Sequence, residues 1–304
     1  MAKAYASTII DAPVEAVWAM VRDFNGLPSW VSAIADTAIE DGQPADAVGC
    51  VRSMHLQDGT HLRERLLSLD DCTYSFSYNF EKPAFPVGNY HAEFRLIPVT
   101  DGDRTFAEWR STFDERPEDA GKYEDIISNA VFSAGLASLR EKARGRAVPA
   151  GEVRWQGARP AKVFCSAVIR GSIDAVWARM RDFTGMPEWH PEIHSMHMLE
   201  GKRADQVGAT RAFGLGDEQL HEVLTRLSDT EHEFRYRMTK GPQPWLNYHA
   251  GARLRPVSAD GTSFAVWTAD WTASPNDDVT LIPTIHEAVF QRAFDTLNER
   301  FFRG

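Results

Sequence analysis

Cysteine is scarce in this chain. Its 304 residues hold three, Cys50, Cys72 and Cys165, with no C-x-x-C pair among them. An odd number without metal-ligand spacing excludes the disulfide framework of a small secreted domain and fits a reducing cytoplasm. Positive charge is also in short supply. There are 33 Lys and Arg against 43 Asp and Glu, a formal net charge of −10. Nucleic acids and anionic membrane surfaces are bound by clustered cations, so neither is an expected partner. No apolar run approaches the roughly 18 residues that a membrane span needs. The opening "MAKAYASTIIDAPVEAVW" lacks the basic region and apolar core of a signal peptide, and the expected location is cytoplasmic. Phosphate-cradling and nucleophile motifs are missing too: there is no Walker loop, no G-x-S-x-G elbow, and "GLG" at Gly214 has no third glycine at the right spacing. No cofactor is expected.

What the chain does have is apolar content for a folded core, 43% of residues, and length for two domains. It also repeats itself. "FNGLPSWVSAI" at Phe24 returns as "FTGMPEWHPEI" at Phe183. At an offset of 159, Trp18 falls on Trp177, "RDF" at Arg22 on "RDF" at Arg181, and "VGCVR" at Val48 on "VGATR" at Val207. One deletion makes the offset 158, and then Leu62, Glu64 and Leu66 meet Leu220, Glu222 and Leu224. "NYHA" at Asn89 meets "NYHA" at Asn247. The chain is therefore a tandem duplication, with domains at 1–147 and 163–304. A Gly-, Pro- and Arg-rich linker at 148–162 separates them. It is expected to behave as an internal pseudo-dimer that could also self-associate.

Each repeat starts with a strand. A short helix follows, with Asp11 as its expected N-cap and Pro13 in its first turn. Five or six strands come next. Tyr74, Phe76, Tyr78 and Phe80 alternate with polar residues, and so do Tyr90, Ala92, Phe94 and Leu96. Period two with one apolar face predicts an antiparallel sheet covered on one side. A long helix closes each repeat, near Glu118–Ala143 and Asp277–Phe302. Its inner stripes are expected at Ile126, Ala130, Ala134 and Ala137, and at Ile285, Val289, Ala293 and Leu297. The class is α+β: two curved antiparallel sheets, each wrapped around a long C-terminal helix.

The stretches "APVEAVWAMVRDFNGLPSW", "VGCVRSMHLQDGTHLRERLLSLDD" and "GNYHAEFRLIPV", with their second copies, resemble the START/Bet v 1-like superfamily (SRPBCC), and within it the polyketide cyclase/dehydrase-like branch. The resemblance covers nearly all of both repeats. It implies a helix-grip fold with a deep, largely apolar cavity, and a hydrophobic aromatic small molecule as partner. Some members are enzymes and others are carriers or sensors, so the fold does not decide activity.

Strand parity selects the residues facing the interior. Glu64 and Glu222 lie on apolar faces, as do Arg52 and Arg211. A buried charge needs a partner, so each Arg and Glu either pair structurally or contact a polar ligand. In the similar plant abscisic-acid receptors the matching Glu lines the ligand pocket. Phe76, Tyr78 and Tyr90 share the inner face with Arg52 and Glu64, and Phe213, Phe234, Tyr236 and Tyr248 do so in the second repeat. Trp30 and Trp189 belong to a short lid. Buried tyrosines are either satisfied core residues or ligand contacts.

Histidine separates the repeats. The first holds His55, His61 and His91. The second holds His190, His194, His197, His221, His232, His249 and His286. His190, His194 and His197 replace Val31, Ala35 and Ala38, and His232 replaces Tyr74. His190, His194 and His197 have spacing that ligands could use, but Pro191 breaks any helix there and a strand would splay them, so no metal site is expected. The chemical reading is acid–base catalysis in the second repeat. His194 and Glu222 would move protons, and Arg211 and Tyr236 would stabilise developing charge. Trp189, His190, Phe213, His232, Phe234, Tyr248 and His286 would line that interior; Trp30, Arg52, Glu64, Phe76, Tyr78 and Tyr90 would line the first. That suits a cofactor-free lyase, cyclase or dehydratase acting on an aromatic polyketide or phenolic dimer. The alternatives are a non-catalytic carrier or sensor, or one catalytic repeat beside a structural one.

Overall fold

The computed structural model describes residues 1–148, 157–241 and 245–303. The first repeat opens with β1 (Ala2–Ile10) and α1 (Val14–Val21), followed by a 3₁₀ turn at Leu27–Ser29. Six strands come next: β2 (Ile34–Ile39), β3 (Val51–Leu56), β4 (His61–Asp70), β5 (Ser75–Lys82), β6 (Gly88–Val99) and β7 (Arg104–Asp114). They form one seven-stranded sheet in the order β1-β7-β6-β5-β4-β3-β2. The meander is therefore closed by the first strand, which pairs antiparallel with the last. The second repeat copies this with β8 (Val163–Ile169), β9 (Met196–Met198), β10 (Thr210–Leu215), β11 (Glu218–Ser228), β12 (Glu233–Lys240), β13 (Leu246–Val257) and β14 (Thr262–Thr272), ordered β8-β14-β13-β12-β11-β10-β9. Even the register shifts recur, at Leu66/Ser68 and at Leu224/Arg226. Such bulges bend a strand, and here they help curve each sheet.

Each repeat ends in one continuous helical run. The first is α2 (Lys122–Asp125), a π-helical stretch (Ile126–Ser133) and α3 (Ala134–Ala143). Before the second long helix come α4 (Ile173–Met180) and the lid helix α5 (Met186–Trp189). The run itself is α6 (Pro275–Thr284), a π-helical stretch (Ile285–Gln291) and α7 (Arg292–Arg300). The π stretches fall at matching positions. Pro283 lies inside α6, yet the first helix makes the same widening without a proline. The wider turn shifts which residues face the sheet. In the first repeat the buried set is Tyr123, Ile127, Phe132, Leu136 and Leu139, while Ala130, Ala134 and Ala137 are exposed and Ile126 is half-buried. The stripe expected for that helix is out of register with the repeat: Ile127, Gly135 and Leu139, the repeat counterparts of Ile285, Ala293 and Leu297, are the buried ones. In the second repeat Ile285, Ala293 and Leu297 are buried, joined by Phe290 and Phe294.

Two other expectations change. Asp11 caps nothing: the N-cap position of α1 is Pro13, with no side-chain cap, whereas Ser172 caps α4 by accepting from the Ala175 N–H. Tyr74 and its counterpart His232 do not sit within strands. Both occupy the tight turn before one, with φ of 49° and 46°.

The chain divides into two compact units, Met1–Pro98 with Gly102–Ala158 and Ser258–Asp260, and Val99–Asp101 with Arg159–Val257 and Gly261–Gly304. The change at Ala158/Arg159 falls inside the expected linker; residues 149–156 of that linker lie outside the described residues. The two hydrophobic cores follow the same division. Each is built from large side chains, and burying one such Leu, Ile or Phe is worth about 1.5–3 kcal/mol. No helix among the described residues is long and apolar enough to cross a membrane.

Candidate functional site

The inner face of each sheet carries one buried ion pair. Arg52 on β3 stands directly opposite Glu64 on β4, and Arg211 on β10 directly opposite Glu222 on β11. Strand pairing alone therefore brings each guanidinium to its carboxylate. Arg52 Nε and Nη2 lie 2.8 and 2.5 Å from Glu64 Oε2. Arg211 Nε donates to Glu222 Oε2 at 2.7 Å, and its Nη2 is 2.6 Å from the same oxygen but too far off line to close a hydrogen bond. The third nitrogen explains the repeated "RDF". Arg52 Nη1 donates to the Phe24 carbonyl and Arg211 Nη1 to the Phe183 carbonyl, both at 2.6 Å. Each guanidinium also lies over its Phe ring, at 3.9 and 3.8 Å from the centroid. The first residue of the motif faces outward. Arg22 pairs with Asp71 and Arg181 with Asp229, and the Trp18 and Trp177 indoles donate to the same aspartates. The motif therefore ties the lid to the sheet from both sides.

Burial pushes the Glu64 and Glu222 carboxyls above the ordinary carboxylate range, and the facing arginine only partly opposes it. Both contacts to Arg fall on Oε2; among the described residues nothing hydrogen-bonds Oε1 of either glutamate. Burial also raises Tyr78, Tyr90, Tyr236 and Tyr248, so all four stay protonated phenols.

Around this shared frame the two interiors differ. In the first, the Trp109 indole donates to the Tyr78 hydroxyl at 2.9 Å. Trp109 stacks on Phe132 of the π stretch at 4.7 Å and meets Trp30 of the lid at 5.7 Å. Gly135 permits this approach, since a Cβ there would lie 3.0 Å from the Trp109 ring. In the second, Trp267 stacks on Phe290 at 4.5 Å and meets Trp189 at 6.0 Å. Trp267 faces Tyr236, but its N–H closes no hydrogen bond.

The histidines do not converge as the sequence suggests. His194 is exposed: Ile193 takes the inward position at the end of the lid, and the next side chain turns to solvent, as Ala35 does in the first repeat. His197 on the edge strand β9 is exposed as well. His232 is half-buried in its turn, edge-on to Trp177 at 5.7 Å, and does not line the interior. His286 is half-buried between Ile285, which faces the core, and exposed Glu287. His190, the C-cap of the lid helix α5, is the one that enters, with 1% of its surface exposed. The Glu192 N–H donates to Nδ1 at 3.3 Å, so the ring proton belongs on Nε2. Burial holds the imidazole below its usual pKa; the Val289 carbonyl of the π stretch, which favours the charged form, is a smaller influence. Of the histidines expected to line the second interior, His190 is the buried one.

Among the described residues no group of three or more His, Cys, Asp or Glu side chains gathers as metal ligands would. An open groove of about 580 Å³ lies elsewhere, on the outside of the first unit, lined among others by Met20, Asp23, Ser29, Lys142 and Arg146. Lys142 donates there to the Ser29 carbonyl, as Arg300 does to the Glu188 carbonyl in the second unit, where Phe301 lies over Arg179 at 3.6 Å.

Solved structures similar to the chain include XoxI of Bacillus cereus, 27% identical over 47% of this chain and 95% of that one, with a TM-score of 0.42. A Thermobifida fusca protein is 30% identical over 47% of this chain and 93% of its own, with a TM-score of 0.43. The di-domain ARO/CYC BexL from the BE-7585A biosynthetic pathway spans all of both chains at 12% identity and a TM-score of 0.41. No curated protein matches. The profile of one family, described as polyketide cyclase/dehydrase and lipid transport, matches twice, over residues 1–144 and 160–301. With nearly all of both repeats so matched, the chain belongs to the polyketide cyclase/dehydrase and lipid transport family.

Proposed function

We propose that the chain is a cofactor-independent cyclase or dehydratase for an aromatic, polyketide-like small molecule, and that the interior of the second repeat carries the chemistry. One observation supports this above the rest. The second interior holds a carboxyl and an imidazole that burial has brought toward each other's range. Glu222 is raised and His190 is lowered, while their counterparts in the first repeat are Glu64 and the inert Val31. A carboxyl raised toward neutrality exchanges protons with substrate more readily, and an imidazole held neutral is able to accept one. Glu222 would move the proton through its unbonded Oε1. Arg211 and the phenol of Tyr236 would stabilise an enolate as it forms, in surroundings where water does not dilute the interaction. His190 takes the place that His194, being exposed, does not fill. Phe213, Phe234 and Tyr248 would supply the apolar wall.

The carrier reading draws on one fact: the same Arg–Glu–carbonyl arrangement recurs in the first repeat, where nothing replaces His190. An arrangement present in both copies serves the fold at least. Turnover separates the readings. On a panel of poly-β-ketone and hydroxylated polycyclic substrates the wild type should form a cyclised or dehydrated product. Glu222→Gln should lower the rate roughly 10²–10⁴-fold. Binding without turnover across the panel would favour the carrier, and an undiminished Glu222→Gln rate would remove Glu222 from the mechanism.

A further inference from the structure

The buried polar atoms left without a hydrogen bond have one sign in the second interior. Among the described residues Trp189 Nε1, His190 Nε2, Trp267 Nε1 and Trp245 Nε1 close no hydrogen bond, and all are donors. Trp189, His190 and Trp267 are 1%, 1% and 0% exposed. A buried donor without an acceptor costs about 1–3 kcal/mol, and native interiors leave few such groups. These three are close neighbours. Trp189 and Trp267 are ring neighbours at 6.0 Å, Trp267 stacks on Phe290, and His190 lies beside Val289, the residue before Phe290 in the π stretch, whose carbonyl is near the imidazole without closing a hydrogen bond.

The first repeat is the control. There the Trp109 N–H is satisfied by Tyr78, and of the equivalent positions only Trp30 keeps an unbonded N–H. Val31 and Val87 stand where the second repeat has His190 and Trp245. Both exchanges put an N–H where the first repeat has only carbon. Tyr236, the nearby hydroxyl that faces Trp267 without closing a bond to it, also interacts with Tyr248, whose ring centroid is 6.4 Å from its own. Arg211 and Glu222 are already paired. Among the described residues the second interior therefore leaves these three buried donors unbonded, and Glu222 Oε1 is the carboxyl oxygen still free to accept.

We infer that it binds a flat aromatic ligand through an acceptor oxygen, a ring carbonyl or phenolic oxygen, placed against the N–H groups of Trp189, His190 and Trp267. This rests on reading the second interior as the binding site, and it adds the ligand's polarity. A ligand of the same shape without that oxygen leaves all three donors unsatisfied, so it should bind less well. Discrimination by unmet hydrogen bonds is stronger than discrimination by shape alone.

The test pairs two probes of one shape, 9-fluorenone and fluorene, which differ by a single carbonyl. Equilibrium dialysis against the full chain should show fluorenone bound roughly tenfold or more tightly than fluorene. Trp189→Phe, Trp267→Phe and His190→Val should each weaken fluorenone roughly twofold to tenfold more than they weaken fluorene. Trp→Phe keeps a flat ring in place, and near-ultraviolet circular dichroism checks that each variant is folded. The wild-type comparison stands even if a variant is not. Equal affinities for the two probes, parallel losses of both in the variants, or no binding of either would overturn the inference. Selective fluorenone binding in a chain that turns over no substrate would uphold it and count against the catalytic reading alone.

Discussion

The two repeats share a frame and differ in what the frame encloses. Strand order, bulges, π stretches and the buried Arg–Glu pair held to a lid carbonyl are the same in both. Inside, the first repeat satisfies its central indole, with Trp109 bonded to Tyr78, and leaves Trp30 Nε1 and Ser111 Oγ unbonded among the described residues. The second leaves Trp189, His190 and Trp267 unsatisfied. On the function proposed above, one copy keeps the stability while the other gives some of it up for a site, and unmet bonding at a functional position is the usual trace of that exchange.

The largest effect should come from the shared frame. Arg52→Ala or Arg211→Ala leaves a carboxyl buried without its partner and should cost about 3–5 kcal/mol, read as a lowered urea midpoint for the unit concerned. If either arginine could be removed at little cost, the pair would not be the structural constant described here. The next effect separates the units. Tyr78→Phe strands the Trp109 N–H and should destabilise by about 1–3 kcal/mol. Tyr236→Phe should cost less, because Trp267 gains nothing from that hydroxyl as a hydrogen bond. Equal losses would erase the contrast between a satisfied and an unsatisfied interior.

A third test uses pH. The His190 pKa in the folded chain lies below its ordinary value of 6.5. Its contribution to stability is therefore present above pH 6.5 and is lost as pH falls through the lower folded value. Between those values the unfolded chain binds more protons than the folded one. Glu64 and Glu222, raised by burial, act with the opposite sign: their contribution is full below 4.5 and lost as pH rises through their folded values. His190→Val should flatten the loss of stability as pH falls below 6.5, by chemical denaturation at several pH values. An unchanged slope would mean that this imidazole is not the neutral, buried group described. The smallest effect is at the surface. Asp71→Ala should cost up to about 1 kcal/mol, and Asp229→Ala, whose carboxylate is more exposed, should cost less.

Much of this frame was legible in the sequence because it rests on short-range rules. Period two along the strands put Arg52, Glu64, Arg211 and Glu222 on the inner face, and the repeat confirmed each through its partner. The errors arose where local geometry departs from an ideal period. The stripe expected on the first long helix is out of register with the repeat: Ile127 and Leu139 match the buried Ile285 and Leu297, while Ala130 and Ala134 face outward. Tyr74 and His232 fall in left-handed turn positions, which alternation does not register. The sequence suggests an inward turn for both His190 and His194; the chain leaves the lid helix one residue after Trp189, and of the two only His190 is buried. Unbonded indole N–H groups have no sequence signature; they appear only when neighbouring side chains are in place.

The central claim is that the repeats have divided their labour, with the ligand in the second. Hydrogen exchange by mass spectrometry, with and without 9-fluorenone, reads this directly. Slower exchange is expected at 186–193, 233–240 and 285–294, with no change at 27–34, 75–82 and 126–136. Protection confined to the first repeat, or equal in both, would contradict it.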